Sequence, residues 1–359
     1  MVPTHYAHCG SVHIAWQSVG AGERDLLFIP GWVSNVEANW AFPEVAAFLE
    51  RLAGLGRLLT FDKRGTGLSD RVARMPAMEE RIDDVRAVLD AAKARPVVII
   101  GASEGCTLAA QFAAEHPGRC AALVLYGGWA RRTRASDYPW APSAEERARF
   151  LEAVLRDWGG PMDLGALAPS RAGEADFVER YAAYLRASAS PGAAHALARM
   201  NTHVDVRAAL PRVRAPTLVM HREGDRDSSI EEGRYLARHI PGAVFEPLSG
   251  NDHWPFVGDC ESLLLAVERF VGGLPAPVLT STESAPGPRR RPEDPMAALT
   301  PRQHEVLELL AQGRGNKEIA DLLGVSEHTV HRHVADVLVR LGARTRAQAA
   351  TLFAERLLR

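Results

Sequence analysis

One serine of this chain lies in a pattern typical of nucleophilic catalysis. The segment Gly101-Ala102-Ser103-Glu104-Gly105 directly follows an apolar run and opens a helical pattern. A serine held in a tight turn between a strand and a helix exposes its hydroxyl, and small flanking residues allow the backbone segments to come close. Its position between a predicted strand and a predicted helix distinguishes this segment from a chance match. We therefore predict that Ser103 attacks a carbonyl group.

The acid and the base that would activate this serine follow later in the chain. Asp225 comes after the apolar run 217–221, and His253 comes after the run 243–247. Both residues follow predicted strands, in the order serine, acid, histidine. His253 would take and return the serine proton, while Asp225 would hold the imidazole tautomer and stabilise its charge. Each residue alone would be interpreted as a turn aspartate or a surface histidine, and Asp227 stays open as an alternative acid.

The oxyanion formed by such an attack needs hydrogen-bond donors, and backbone amides can supply them. We predict that the donors are the N–H groups of Glu104, directly after the nucleophile, and of Trp32, in FIPGWVSN. Residue types near these positions indicate a largely apolar, aromatic pocket. The predicted lining consists of Trp32, Asn35, Trp40, Trp129, Tyr138 and Trp140.

The elements that must position these residues are strands and helices in alternation. Short apolar runs alternate with amphipathic patterns, which is typical of a mostly parallel sheet covered on both faces. From about 128 to 208 the sequence becomes helical and rich in aromatics, which predicts a cap over a pocket. The alternative is that these aromatics pack the core of the cap itself. The predicted strands are 26–29, 58–62, 97–101, 121–125, 217–221 and 243–247, and the predicted helices are 42–52, 78–94, 105–115, 230–239 and 261–271.

Several segments of residues 1–273 resemble the α/β-hydrolase fold, in particular the subgroup attached to bacterial signalling domains such as class III adenylate cyclases and helix-turn-helix modules. The resemblance implies an α/β-hydrolase domain with a helical cap. Pro30-Gly31 stands where many hydrolases have His-Gly, and Ser228-Ser229 stands where Val-Pro is common, but neither departure removes a catalytic group. Such folds also serve as ligand receptors, so the resemblance leaves the activity open. The segments are FDKRGTGLSD (61–70), GASEG (101–105), SASPGAA (188–194), DVRAALPRVRAPTLVMHREGD (205–225) and GNDHWPFVGD (250–259).

A change of composition marks a boundary at 274–297. The segment LPAPVLTSTESAPGPRRRPEDPMA is rich in proline, serine, threonine and glycine, which interrupt every periodic pattern and predict a flexible linker. Arg289–Arg291 could contact phosphate, although a run of charges is usually only solvated.

Residues 298–359 form a second, all-helical pattern. Gly324 suits the left-handed end of a helix over 316–323, and Ser326 can cap a further helix over about 327–341. Two helices joined by a short turn, the second with an outward polar face, predict a helix-turn-helix whose second helix enters the DNA major groove. The alternative is a helical module that binds only protein.

The segment LTPRQHEVLELLAQGRGNKEIADLLGVSEHTVHRHVADVLVRLGARTRAQA at 299–349 closely resembles the C-terminal four-helix domain of LuxR-type regulators. The resemblance implies DNA binding, with a dimer contact through a final helix near 345–354. His331 stands where lysine is usual, which gives a shorter and mostly neutral contact. Gly315 replaces the usual serine or threonine at a helix start, at a cost of about a few tenths of a kcal/mol. The residues that would contact or position DNA are Asn316, Lys317, Thr329, His331, Arg332, His333 and Arg346.

Composition excludes several classes of protein. The formal net charge of −2 means that any contact with DNA must come from a local patch. Four cysteines without a CxxC pair argue against a zinc site and against a secreted disulfide scaffold. The first residues lack the features of a signal peptide, and no run approaches the ~20 apolar residues that cross a bilayer. We expect a cytoplasmic protein that uses neither a metal nor an organic cofactor and does not bind membranes.

Three functional hypotheses follow. The first is a homodimeric, ligand-responsive transcriptional regulator in which a small carbonyl-containing molecule bound to the hydrolase domain controls binding to double-stranded DNA. The second is an active serine esterase or amidase with an accessory DNA-binding domain. The third combines them, with slow hydrolysis clearing the signal. We favour the first because a DNA-binding module has little purpose on a housekeeping esterase.

Overall fold

The computed structural model of this chain describes residues 2–160, 162–276, 299, 301–341, 343 and 345–357. These fall into two compact units, residues 1–277 and residues 278–359. The predicted linker, with Arg289–Arg291, lies outside the described residues apart from its first three positions.

The first unit is built on one eight-stranded sheet. Its strands are β1 (Thr4–Cys9), β2 (Val12–Val19), β3 (Asp25–Ile29), β4 (Arg57–Phe61), β5 (Val97–Ala102), β6 (Cys120–Tyr126), β7 (Thr217–Arg222) and β8 (Val244–Leu248). They are arranged in the order β1-β2-β4-β3-β5-β6-β7-β8. β1 and β2 pair antiparallel, as do β2 and β4, whereas every pair from β4 to β8 is parallel. The predicted parallel sheet is thus confirmed, and the hairpin of β1 and β2 is an addition that the sequence patterns did not indicate.

Helices cover both faces of this sheet. Alternate residues of a strand point to opposite faces, so Val98 and Ile100 of β5 belong to one apolar core while Val97 and Ile99 belong to the other. All five predicted helices are present, with ends that differ by at most three residues. The helices of this unit are α1 (Ala38–Ala41), α2 (Pro43–Ala53), α3 (Met78–Ala91), α4 (Gly105–Glu115), α5 (Ala144–Asp157), α6 (Ala175–Ser188), α7 (Pro191–Thr202), α8 (Ile230–His239) and α9 (Cys260–Gly272).

The predicted helical cap consists of α5, α6 and α7, which lie between β6 and β7 in the chain. The segment 188–194 forms the start of α7, where Pro191 takes the first helical position and Ser190 Oγ accepts a hydrogen bond from the Ala193 N–H at 3.3 Å. Phe177 and Leu185 of α6 are fully buried in the same core as α2, so the cap is packed onto the sheet domain.

The segment 61–70 is joined by hydrogen bonds to the loop that follows β3. The buried carboxylate of Asp62 accepts hydrogen bonds from Ser34 Oγ at 2.8 Å, from the Val36 N–H at 3.1 Å and from the Leu68 N–H at 2.9 Å. Gly67 has φ +51°, and a Cβ at that position would collide with this carboxylate. Burial raises the pKa of Asp62 to about 6 in spite of these donors. Asp62 therefore fixes the loop that follows β3.

The second unit contains α10 (Pro301–Ala311), α11 (Asn316–Leu323), α12 (Glu327–Leu341) and α13 (Arg346–Leu357). Gly324 ends α11 with φ +64°, in the left-handed region as predicted. Ser326 Oγ accepts a hydrogen bond from the Thr329 N–H at 3.1 Å and so caps α12. Within the parts of the chain that the structure describes, neither unit has a helix that combines the length and the apolarity of a membrane span.

Candidate active site and helix-turn-helix

Ser103 lies in the turn that joins β5 to α4, and the two glycines of its motif make that turn possible. Ser103 has φ +53°, a left-handed conformation that costs free energy for a residue with a side chain. A Cβ at Gly101 would lie 2.9 Å from the carbonyl oxygen of Gly105. A Cβ at Gly105 would collide with the backbone of Ile29 in the neighbouring strand β3. Only glycine fits at both positions, so the turn predicted from the motif is the turn observed.

The structure brings the three predicted triad residues together. His253 Nε2 lies 2.8 Å from Ser103 Oγ, and His253 Nδ1 lies 2.7 Å from Asp225 Oδ2. The other oxygen of Asp225 accepts hydrogen bonds from the backbone N–H groups of Asp227 and Ser228, at 2.9 and 3.1 Å. Nucleophile, base and orienting carboxylate are thus connected in one line of hydrogen bonds, which is the geometry that activates a serine.

The alternative acid, Asp227, has a different environment. Its Oδ2 lies 3.7 Å from His253 Nε2, the ring nitrogen on the Ser103 side, and 2.9 Å from Arg132 Nη2. Burial by itself lowers the pKa of His253, but the carboxylates of Asp225 and Asp227 outweigh burial and raise it. Burial likewise opposes ionisation of Asp225, yet His253 and His221 hold its pKa below the ordinary value. Asp225 therefore occupies the position of the orienting acid, while Asp227 adds negative charge beside the base.

The loop that carries His253 is anchored by one buried arginine at the end of β7. Arg222 is fully buried and forms no ion pair within the described residues. Its Nη1 donates to the carbonyl oxygens of Asp252 and Trp254, at 2.8 and 3.1 Å, and its Nη2 donates to those of Val257 and Asp259, at 2.7 and 3.1 Å. Sequence reasoning missed this residue, although it directly precedes the loop of the acid.

A second buried cluster links the nucleophile turn to the loop that carries Trp32. The carboxylate of Glu104 pairs with Lys63 Nζ at 2.5 Å and with Arg81. Lys63 Nζ also donates to the carbonyl oxygens of Pro30, at 3.2 Å, and of Gly31. Burial would raise the pKa of Glu104, but the two cations lower it to about 2. This ion cluster fixes both backbone segments that carry the predicted oxyanion donors.

The triad opens into a cavity between the sheet and the cap, and most of its lining is apolar. Trp32 and Trp129, both predicted, are part of this lining, together with cap residues from α5, α6 and α7. Trp32 packs edge to face on Trp158, with 5.2 Å between the ring centres. Apart from Ser103 and His253, the polar residues that line the cavity are Asn39, Glu104, Arg132, Arg147, Tyr181, Tyr184, Asn201 and Asp227.

Four predicted lining residues lie elsewhere, and this part of the prediction was wrong. Tyr138 and Trp140 pack with Tyr235 in the core on the opposite face of the sheet, because the chain turns away from the cavity soon after Trp129. Trp40 Nε1 donates to Gln17 Oε1 at 2.7 Å beneath the hairpin of β1 and β2. Asn35 uses its amide to hold backbone: its Nδ2 donates to the Ala187 carbonyl, and its Oδ1 accepts from the N–H groups of Glu37 and Ala38 at the start of α1.

The helix-turn-helix places two of its predicted contact residues, Lys317 and His331, on exposed positions of α11 and α12. Gly315 offers no side-chain cap, but its N–H donates to Glu318 Oε2 at 2.8 Å, so one of the two hydrogen bonds of a capping box is retained. Other predicted residues make contacts within the unit. The Thr329 hydroxyl lies 2.8 Å from Ser326 Oγ, and Arg346 Nη2 donates to the Arg314 carbonyl at 2.6 Å. Asn316 and His333 are half-buried. The side chain of Arg332 is not among those that the structure describes.

Residues 41–247, more than half of the chain, match the model of the α/β-hydrolase family described as serine aminopeptidase, S33. The chain belongs to this family. Residues 297–353 match the bacterial regulatory proteins of the luxR family. The chain therefore joins an α/β-hydrolase domain to a LuxR-type DNA-binding domain, as the two resemblances predicted.

Individual relatives agree with this division. A pimeloyl-[acyl-carrier protein] methyl ester esterase of Neisseria meningitidis is 27% identical over 196 residues, which are 53% of this chain and 77% of the relative. The nitrate/nitrite response regulator NarP of Escherichia coli is 48% identical over 61 residues, 17% of this chain and 28% of NarP. A bromoperoxidase from Bacillus anthracis has a TM-score of 0.66 at 20% identity, covers 75% of this chain and is itself covered completely, so it shows the fold alone.

Proposed function

We propose that this chain is a ligand-responsive transcriptional regulator. Its α/β-hydrolase domain binds a small carbonyl-containing molecule, and this binding controls the affinity of the helix-turn-helix for double-stranded DNA. One observation carries the proposal: a hydrogen-bonded Ser103–His253–Asp225 array opens into an aromatic cavity on a chain that also has a LuxR-type DNA-binding domain. The regulator acts as a homodimer in the cytoplasm, where its DNA is found.

The chemistry that the array supports is acyl transfer. Ser103 Oγ attacks the ligand carbonyl while His253 Nε2 takes the hydroxyl proton, and Asp225 stabilises the imidazolium. The N–H groups of Trp32 and Glu104 receive the oxyanion. His253 then returns the proton to the leaving group as its bond to the acyl carbon breaks. A water molecule, activated by the same base, releases the acyl group from Ser103. Slow turnover of this kind would remove the ligand and reset the regulator.

A second candidate function is that of a serine esterase or amidase for which the DNA-binding domain is accessory. The triad distances of 2.8 and 2.7 Å favour it, because a receptor has no need of an aligned nucleophile and base. The two functions differ in whether the occupied cavity changes DNA binding.

The test measures hydrolysis of p-nitrophenyl butyrate and binding of mixed-sequence duplex DNA by the full chain. We expect Ser103→Ala to lower turnover by about 10⁴-fold or more and to leave DNA binding without ligand unchanged. Ser262→Ala, at an exposed serine, is the matched control. If the wild type does not hydrolyse the ester, the hydrolase domain acts as a receptor only. If it hydrolyses the ester and no bound ester changes the affinity for DNA, the chain is an esterase with an accessory DNA-binding domain.

A further inference from the structure

Arg147, on α5, is a buried cation whose hydrogen bonds go only to neutral groups. Its side chain lines the cavity and the residue is 5% exposed. Its Nε and Nη2 donate to Thr202 Oγ1, at 3.3 and 3.2 Å, and Nη2 also donates to the Ala198 carbonyl at 3.4 Å. The guanidinium lies 4.6 Å from the centre of the Phe150 ring. Among the described residues no carboxylate forms an ion pair with it, so the cavity wall carries a positive charge that its neighbours leave uncompensated.

The other charged groups on the cavity wall have direct partners. Asp227, which acts on Arg147 through space, is hydrogen-bonded to Arg132 at 2.9 Å. Glu104 pairs with Lys63 and Arg81. Burial lowers the pKa of Arg147 to about 10, with Arg132 acting in the same direction, so the guanidinium remains charged at pH 7.

Asn201, on α7, is a second polar group that the fold leaves without a partner. It is 5% exposed, lines the cavity, and its buried Oδ1 accepts no hydrogen bond within the described residues. Residues three positions apart share a helix face, so Asn201 lies on the face of α7 that also carries Ala198, whose carbonyl oxygen accepts a hydrogen bond from Arg147. The unpaired Asn201 Oδ1 is an acceptor, so it would be satisfied by a donor and not by an anion. The Arg147 guanidinium without an ion-pair partner is costly to bury, and a bound anion would relieve that cost.

We propose that the cavity binds an acyl ester that carries a carboxylate besides its ester group. Arg147 holds the carboxylate, the aromatic walls cover the intervening chain, and the ester carbonyl lies at Ser103. This proposal rests on the function proposed above and adds its substrate class: half-esters of dicarboxylic acids rather than neutral esters. Carboxylates are anions that a guanidinium recognises through charge-assisted hydrogen bonds.

The test is built on binding, so that it does not depend on turnover. Full-length Ser103→Ala is titrated by calorimetry with the monomethyl esters of straight-chain dicarboxylic acids, from succinic to suberic acid. Methyl esters of monocarboxylic acids of matched length are the neutral reference. We expect the best half-ester to bind about 10- to 100-fold more tightly than its neutral counterpart, the range for a hydrogen-bonded charge. Equal affinity for the two series, or no binding of any half-ester, overturns the proposal.

Variants of the cap test whether Arg147 causes the preference for half-esters over neutral esters. Arg147→Gln is expected to remove the preference and Arg147→Lys to retain part of it, while Arg149→Gln, at an exposed arginine of the same helix, leaves it unchanged. Asn201→Asp keeps the size of the side chain and adds a negative charge, so it should weaken half-esters without weakening neutral esters. Tryptophan fluorescence on urea unfolding checks that each variant is folded, since all seven tryptophans lie within residues 1–277. If Arg147→Gln still prefers half-esters to neutral esters, Arg147 does not bind the carboxylate, whether or not the wild type hydrolyses esters. If half-esters bind but are not hydrolysed, only the catalytic part of the proposed function is refuted.

Discussion

At the scale of single residues, Asp227 adds to the effect of Asp225 on the base, His253. Its carboxylate lies 3.7 Å from His253 Nε2 and, with Asp225, raises the pKa of His253 in spite of burial. A general base works only in its neutral form, so hydrolysis falls as pH drops through this pKa. The acid limb of the rate profile therefore lies above the ordinary histidine value of 6.5.

Asp227→Asn should move that acid limb to lower pH. The substitution removes a negative charge near the imidazolium and leaves Arg132 unpaired, and both changes lower the pKa of His253. We expect the midpoint of kcat/KM against pH for p-nitrophenyl butyrate to fall below that of the wild type. Asp163→Asn, at an exposed aspartate of the cap, should leave the midpoint in place. A midpoint that stays or rises in Asp227→Asn would show that Asp227 does not act on the base.

Residue types predicted the triad better than they predicted the cavity. Ser103, Asp225 and His253 each follow a strand, and parallel strands bring such positions to one edge of the sheet. The position of an aromatic residue in the sequence gives no comparable indication of its place in the fold. Trp129 lines the cavity, whereas Tyr138, nine positions later, packs on the opposite face of the sheet. Arg147 and Asn201 were not predicted because nothing in a helical pattern shows which polar residues lack a partner.

At the scale of elements, β7 holds the loop that carries His253 through Arg222. We predict that loss of these hydrogen bonds affects both stability and catalysis. Arg222→Met keeps the apolar bulk of the side chain but leaves the carbonyl oxygens of Asp252, Trp254, Val257 and Asp259 without their donor. Each lost partner of a buried carbonyl costs about 1–3 kcal/mol before relaxation. We expect a lower urea midpoint by tryptophan fluorescence, and a fall in kcat that exceeds the change in KM because His253 is displaced.

Arg269→Met is the matched control for this variant. Arg269 forms an exposed ion pair with Glu246 at 2.6 Å, and exposed pairs contribute about 0–1 kcal/mol. Its substitution should change neither the urea midpoint nor kcat appreciably. If Arg222→Met behaves like Arg269→Met, the loop is held by other contacts.

Elements with a continuous apolar run were predictable, and the edge hairpin was not. β5 is buried at every position, so its run of valine and isoleucine shows a central strand. β1 buries only Ala7, and β2 buries the polar Gln17 beside Ile14, Ala15 and Trp16. Gln17 is satisfied by contacts with Thr4 of β1 and Trp40 of α1 that only the folded chain creates. Tertiary hydrogen bonds of this kind leave no periodic signal in the sequence.

At the scale of the whole molecule, the proposed regulator must couple two chemically different sites. The hydrolase domain supplies a cavity lined by Ser103 and His253, and the LuxR-type domain supplies exposed positions such as Lys317. A ligand changes DNA affinity only if it binds one state of the chain better than another. Such coupling is reciprocal, so DNA must change ligand affinity by the same factor.

This reciprocity can be measured with Ser103→Ala, which holds an ester without consuming it. The dissociation constant for mixed-sequence duplex DNA is determined with and without saturating p-nitrophenyl butyrate, and that for the ester with and without saturating DNA. We expect both ratios to be equal and to fall in the range of about 5- to 150-fold. Lys317→Ala in the same background should weaken DNA binding and reduce its salt dependence by about one phosphate contact, yet leave ester affinity without DNA unchanged. Ratios of one would separate the two domains functionally and favour an esterase with an accessory DNA-binding domain.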